Sequence, residues 1–417
     1  MTTETVQNKG WIVAMAGLTI NLALGILYTW SIFKDSILDS IQKGGEGAFD
    51  WDTASLNDPY ALCILTFAFS MIFAGKLQDK KGPRMTALIG GLLVGFGFIL
   101  ISLTTNYYVW LLGFGLLTGT GIGFGYSSAT PPALKWFSSK KTGLIAGLVV
   151  SGFGLAPVYI APLATYFVNS FGLQHAMLLF GIMFIVIVCG AAFFLVNPPK
   201  GYVPPAGKRE VAGTSPIITE KDLTASQILK TPQFYLLWII FFIGAGAGLM
   251  IIGGISGMAK ESMGDMAFVA VAIMAIGNAS GRIVAGIMSD KIGKITTLFI
   301  ILVFQASLMF LSIPVIGSNP SALVIVLIAT FIGFNYGTNL SLFPSFSKSF
   351  WGMKNFGVNF GILMSAWGLG GSIFSRMSQS LYASSGNYNQ SFVIAGISLI
   401  VCMILVGLLK KINAKSV

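Results

Sequence analysis

The sequence predicts an all-α membrane protein: twelve transmembrane helices arranged as two six-helix bundles. Three observations predict it. Charged residues make up only 9% of the 417-residue chain, against 55% hydrophobic. Apolar runs long enough to cross a bilayer succeed one another from end to end. One loop motif occurs twice, with its aspartates, Asp79 and Asp290, 211 residues apart.

Composition sets the class first. A soluble domain carries roughly 25% charged residues, so water cannot solvate this surface and lipid must. Glycine is abundant, at 51 residues, and small residues let membrane helices pack closely. Cys63, Cys189 and Cys402 all lie inside apolar runs and form no disulfide framework. A single histidine, His175, leaves no multi-histidine metal site, and no cofactor is expected. Lys9 precedes an apolar stretch that runs on to about Phe33, which is too long for a signal core and reads as the first span.

A span needs about 20 apolar residues. The runs lie at 11–33, 60–77, 85–105, 108–134, 143–168 and 174–196, then at 233–257, 266–288, 296–317, 321–345, 356–380 and 389–409. The stretch 197–232 separates the two sets. It is rich in proline and in charges of both signs, including Pro204, Pro205, Lys208, Arg209, Glu210, Glu220, Lys221 and Asp222, which marks a solvated linker. The expected units are therefore 1–196, a linker 197–232, and 233–417. A second polar stretch, 34–59, reads as an acidic loop.

Orientation follows from Lys and Arg. With the N-terminus in the cytoplasm, most of the 25 basic residues fall in cytoplasmic segments: Lys76, Lys80, Lys81 and Arg84; Lys135, Lys140 and Lys141; Lys291 and Lys294; Lys348 and Lys354; Lys410 and Lys411. This positive-inside pattern places both termini in the cytoplasm of a cell inner membrane. It also accounts for the net charge of +11 without nucleic acid. The expected partners are the bilayer, a small organic anion and, as a candidate, a proton; the expected state is monomeric.

The repeat is Gly75-Lys76-Leu77-Gln78-Asp79-Lys80-Lys81-Gly82 against Gly286-Ile287-Met288-Ser289-Asp290-Lys291-Ile292-Gly293, both G-x-x-x-D-K-x-G. A second echo pairs Gly152-Phe153-Gly154-Leu155 with Ala366-Trp367-Gly368-Leu369. The doubled loop resembles the hallmark of the major facilitator superfamily, over nearly the whole chain. That resemblance implies a substrate site between two bundles near the midplane. It also implies a conformational role for Asp79, Asp290, Gly75, Gly286 and Arg84, with each aspartate meeting a neighbouring helix end and latching one state of the cycle.

Arg282 is the most informative residue. It lies inside span eight, eight residues before Asp290, or about 12 Å at 1.5 Å per residue. A central arginine costs roughly 2.5–3.5 kcal/mol, and all fourteen acids sit in loops, tails or span ends. Such a cation favours a mobile anion as its partner, since a guanidinium grips a carboxylate through two parallel hydrogen bonds; carbonyls, water and hydroxyls are the alternative partners. Its repeat mate is Met71, so the charge is no shared scaffold feature. Asn278, one turn earlier on the same face, orients Arg282 or bonds substrate, or else packs helices through an interhelical amide. Tyr126 and Tyr336, near repeat mates among small and polar neighbours, suit a cavity wall. Tyr28 and Trp30 in span one are further candidates, although aromatic residues also favour membrane interfaces. Pro131, Pro132, Pro157 and Pro162 are expected to kink helices, and His175 to be a solvated residue.

A closer resemblance rests on Asn197-Pro198-Pro199-Lys200-Gly201-Tyr202, Leu229-Lys230-Thr231-Pro232-Gln233-Phe234-Tyr235, Gly281-Arg282 and Leu342-Phe343-Pro344-Ser345. These look like the oxalate/formate antiporter branch, which is related to the monocarboxylate transporters. It implies that Arg282 stands where a helix-eight arginine binds carboxylate. Leu363 stands where oxalate carriers place a second cation, a lysine, and Asn278 where proton-coupled relatives often place an aspartate. The expectation is a secondary transporter of a small monocarboxylate (lactate, pyruvate or formate) by symport or exchange. An oxalate or dicarboxylate exchanger and a membrane anion sensor are the rival readings. No nucleophile motif points to an enzyme, and no phosphate loop to a primary pump.

Overall fold

The computed structural model describes residues 8–45, 47–199, 201–204, 222–263, 267–316 and 321–415. Lys200 and the charged middle of the linker, Lys208, Arg209, Glu210, Glu220 and Lys221 among it, lie outside the described residues. Among the described residues, twelve helices are long and apolar enough to cross a membrane. They are α1 (Gly10–Lys43), α2 (Asp58–Lys81), α3 (Pro83–Ser102), α4 (Tyr107–Trp136), α5 (Thr142–Phe171), α6 (Leu173–Ala192), α7 (Pro232–Met263), α8 (Ala267–Ile292), α9 (Lys294–Ile316), α10 (Ala322–Trp351), α11 (Phe356–Ser385) and α12 (Asn389–Lys415). With an even number of spans, both chain ends emerge on one face, the termini face; the opposite one is the far face.

The motif glycines have a local cause. Gly82 ends α2 at φ +90° and Gly293 ends α8 at φ +88°, a region closed to most side chains. Each lets the next helix start at once, α3 with Pro83 at its first position and α9 with Lys294. The conserved geometry of the two loops therefore needs glycine at the same repeat position.

The largest departure from the sequence reading is at the end of α1. The stretch from residue 34 is not loop: helix continues to Lys43, so Lys34, Asp35 and Asp39 ride on it. Its apolar stripe of Trp30, Phe33 and Ile37 is buried, at the spacing of one helix face. The continuation is joined to the first part of α1 by a tighter 3-10 stretch, Gly25–Thr29. His175 is exposed at the start of α6, with Nδ1 3.0 Å from the Phe171 carbonyl.

Two seams join the first six helices to the last six: α2 against α11, and α5 against α8. Both are glycine crossings. A methyl group on Gly75 would collide with the Gly357 backbone, and one on Gly361 with the Met71 carbonyl. In the other seam Gly143 meets the Gly286 carbonyl, and Gly147 meets the Arg282 carbonyl. Small residues at these points allow backbone-to-backbone approach.

Candidate functional site

Both motif aspartates sit at the termini-face end of a seam. Asp79 accepts the backbone N–H of Gly357 at Oδ1 and of Val358 at Oδ2, each at 3.0 Å. Asp290 does the same to Gly143 and Leu144, each at 2.9 Å. These are first-turn N–H groups of α11 and α5, which have no partner within their own helix, and the positive end of the helix dipole favours the carboxylate. Lys348, buried at the end of α10, reaches across from the last six helices to the Thr142 hydroxyl at 3.1 Å and the Leu134 carbonyl at 3.4 Å. Gly75 and Gly286 are the crossing points just above the aspartates. Arg84 points elsewhere: its Nη2 donates to the Phe193 carbonyl at 2.7 Å and its cation lies over the Phe193 ring, both within the first six helices.

Midway along the seams the helices bring one polar group together. Arg282 and Tyr126 lie ten residues from the termini-face ends of α8 and α4, and Phe153 and Trp367 lie eleven from those of α5 and α11. At 1.5 Å per residue that is a common depth of about 15 Å. Arg282 is fully buried. Its Nε donates to Asn278 Oδ1 at 2.9 Å, and its Nη1 donates to the Val150 carbonyl of α5, in the opposite half. Gly154 makes room for this: a Cβ there would lie 3.1 Å from Asn278 Oδ1 and 3.2 Å from Arg282 Nε. Arg282 Nη2 is buried and has no hydrogen-bond partner among the described residues. Tyr126 Oη is in the same condition and lies within electrostatic reach of Arg282 and Tyr28.

An aromatic shell closes around these groups. Phe153 packs edge-on against Tyr126 and Tyr28, with centroids 5.4 Å apart in each pair. Phe67 touches Tyr126, Phe153 and Trp367. Toward the far face, Tyr336 Oη accepts from Trp367 Nε1 at 2.8 Å and lies 3.3 Å from Tyr28 Oη, a link between the halves. Trp30 stands outside this group. Its indole donates to Asn57 at 3.3 Å and it packs with Tyr60, Trp110 and Phe114, an aromatic cluster within the first six helices. Leu363 is fully buried in α11, one turn before Trp367 on the same face.

The buried basic side chains among the described residues are Arg282 and Lys348, and no Asp or Glu is among the buried residues. Arg282 is thus a desolvated cation whose Nη2 has no partner among the described residues, in a protein of twelve spans linked by two glycine seams. The Major Facilitator Superfamily model matches residues 10–375. The chain belongs to the Major Facilitator Superfamily. It is 28% identical over 378 residues to the uncharacterized MFS-type transporter YhjX of Escherichia coli (strain K12), covering 89% of this chain and 88% of that protein. It is 25% identical over 399 residues to the oxalate:formate antiporter of Oxalobacter formigenes, covering 95% and 90%. It is 24% identical over 396 residues to monocarboxylate transporter 11 of Homo sapiens, covering 93% and 80%. Among solved structures it resembles the MFS transporter FucP in its outward conformation, with TM-score 0.66, 15% identity, and coverage of 96% of this chain and 99% of that one. The protein is a multi-pass membrane transporter and not an enzyme.

Three members of this buried group are absent from the sequence candidates: Trp367, Phe153 and Gly154. All three belong to the echo of Gly152-Phe153-Gly154-Leu155 and Ala366-Trp367-Gly368-Leu369. That echo was the available signal, since it sets two aromatic residues and two glycines at matching depths in α5 and α11. Lys348 gave none, because a lysine at a span end reads as topology alone.

Proposed function

We propose that this transporter carries a small monocarboxylate by alternating access, with Arg282 as its anion-binding cation. The carrying observation is the pair of buried, unpartnered donors, Arg282 Nη2 and Tyr126 Oη. A buried donor without a partner costs about 1–3 kcal/mol, more when charged, and a carboxylate accepts both. One cation suits one negative charge, so Leu363 is the selectivity position that disfavours dicarboxylates. Asn278 orients the guanidinium through its Nε, and Tyr336 and Tyr28 close the site toward the far face. The similarity to an oxalate:formate antiporter and to monocarboxylate transporters supports the substrate class.

The two bundles, 1–196 and 233–417, rock about this site, with 197–232 as their linker. The termini face is cytoplasmic, in keeping with its lysines. Asp79 and Asp290, with the crossings at Gly75 and Gly286, latch the cytoplasmic side shut. Asn278 holds no proton for transfer, which favours anion exchange over proton symport through this position. The test is uptake of labelled lactate, pyruvate and formate into proteoliposomes, with and without internal anion and with and without a pH gradient. Uptake that requires internal anion supports exchange. Oxalate that competes as strongly as the monocarboxylates favours the dicarboxylate reading suggested by the antiporter's name. Binding without flux identifies a sensor.

A further inference from the structure

The last turns of α4 and α10 carry one lysine each, Lys135 and Lys348. A cation in the last turn of a helix is favourable by itself. That accounts for the residue type at each end, but not for where the two side chains meet. Both line one cavity of about 840 Å³ on the termini face. Lys135 and Ser138 belong to its wall from the first six helices, Lys348 and Lys354 to its wall from the last six, and Tyr202 and Asp222 come from the linker stretch. The charged side chains lining it are therefore Lys135, Lys348, Lys354 and Asp222, three cations against one carboxylate. Asp222 Oδ1 is engaged in holding the turn before α11: it accepts the backbone N–H of Met353 at 3.0 Å and of Lys354 at 2.9 Å. Asp79 and Asp290 lie within electrostatic reach of Lys135 and Lys348 respectively, but each already accepts two N–H groups of a helix start.

We propose that this cavity binds a phosphate monoester, soluble or in a lipid head group, and that the bound phosphate bridges the two halves and holds the termini side closed. A phosphate monoester carries roughly −1.5 to −2 charge at pH 7 and three strong acceptor oxygens, and lysine binds phosphate as a point charge. Three lysines facing one space suit such a group better than a monocarboxylate, which has one charge to share among them. The site lies apart from Arg282, about ten residues along α8 from the termini face. Its walls come from both halves, and Lys348 of α10 reaches the Leu134 carbonyl and the Thr142 hydroxyl across the seam. Parting the halves on this side takes the cavity apart. A ligand that binds only the closed arrangement shifts the population toward it, so the ester should slow the cycle without occupying the central site. The closing role rests on the alternating-access reading given above; the binding itself does not.

The test titrates the purified full chain with phenyl phosphate by calorimetry, with benzoate as the monoanionic control. Phenyl phosphate should bind, and benzoate should bind roughly tenfold more weakly or less. Lys135→Gln and Lys354→Gln, at half-buried and exposed positions, should each weaken phenyl phosphate about two- to fivefold. Lys348→Gln, at a buried position, should weaken it by roughly tenfold or more. In proteoliposomes, phenyl phosphate should slow the labelling of a cysteine introduced on the termini side, and the lysine variants should lose that effect. A lipid arm compares vesicles with phosphatidic acid, a monoester, and with phosphatidylglycerol, a diester. Lysine-dependent slowing by phosphatidic acid alone assigns the site to a lipid, and slowing by phenyl phosphate assigns it to a soluble ester; either supports the proposal. No binding of phenyl phosphate together with no effect of phosphatidic acid overturns it. So does benzoate binding as tightly as phenyl phosphate, which makes the cavity a vestibule for the carried acid. Affinity equal to the parent's in Lys135→Gln and Lys354→Gln also overturns it, even if Lys348→Gln fails to fold. Lysine-dependent binding with unchanged labelling overturns the bridging role. Absent monocarboxylate uptake in the same proteoliposomes would strike the proposed function and leave lysine-dependent phosphate binding standing.

Discussion

The two seams between the halves are built on one plan and filled with different chemistry. In α2 the seam residues are Phe67, Met71, Gly75 and Asp79; in α8 they are Asn278, Arg282, Gly286 and Asp290, each set spaced every fourth residue. The backbone contacts correspond: the Met71 carbonyl faces Gly361 as the Arg282 carbonyl faces Gly147, and Gly75 faces Gly357 as Gly286 faces Gly143. The aspartates take two N–H groups each. Only the middle differs, with Phe67 and Met71 in one seam and Asn278 and Arg282 in the other. The backbone plan is thus duplicated, while the buried charge is present in one seam. On the proposed function, both seams serve the rocking and the charged one binds the monoanion.

The strongest way to break the comparison is to make the seams alike. Arg282→Met copies the residue at position 71 and should abolish most transport, by roughly a hundredfold, the scale of a charged hydrogen bond at about 3 kcal/mol. Arg282→Lys should also lose most of it, since the charge stays but the planar fork is gone. Uptake near the parent level in a well-folded sample would remove Arg282 from the site.

A second comparison weakens the latches one at a time. Asp79→Asn and Asp290→Asn should each raise access to the cytoplasmic side and lower flux by about tenfold, through loss of charge-assisted bonds to helix N-termini. Accessibility of a cysteine introduced on that side measures it. Matching effects mean equivalent seams; an effect confined to one shows that the other is packing alone.

Smaller changes test the middle of the charged seam. Tyr126→Phe should weaken substrate binding by about three- to tenfold, because it deletes one unpartnered hydroxyl and leaves the ring packed on Phe153. Unaltered affinity would make Tyr126 a packing residue. Leu363→Lys should shift preference toward oxalate by a few fold, by giving a second carboxylate a partner where an unpaired charge would be costly. Competition of oxalate against labelled pyruvate in both proteins measures the shift. Strong oxalate competition in the parent would show that the single-cation account is mistaken.

The order of the spans and the doubled loop were legible because each depends on local pattern: apolar run length, and glycine at a fixed offset from aspartate. Arg282 was legible because a charge inside an apolar run is conspicuous. The partners of these residues were not. That Arg282 reaches the Val150 carbonyl depends on how α5 and α8 cross, which is set by Gly147, Gly143 and Gly154 acting together. Trp30 and Arg84 illustrate the converse. Both are residue types suited to the expected roles, but helix rotation turns Trp30 into a neighbouring aromatic cluster and Arg84 toward the end of α6. The continuation of α1 to Lys43 was hidden because its charges suggested loop, while its apolar stripe at Trp30, Phe33 and Ile37 was short.

The aspartate latches have one more consequence. The hydrogen bonds of Asp79 and Asp290 among the described residues go to main-chain N–H groups, at Gly357 and Val358 and at Gly143 and Leu144. The lock therefore reads no letter of the sequence at 144 or 358. Side chains there are free to drift to suit lipid or neighbouring helices, so long as the crossing glycines keep the strands of backbone close. Proline alone among the twenty residues removes the hydrogen being held. Adaptation to a new bilayer can rewrite these two helix starts without retuning the machine.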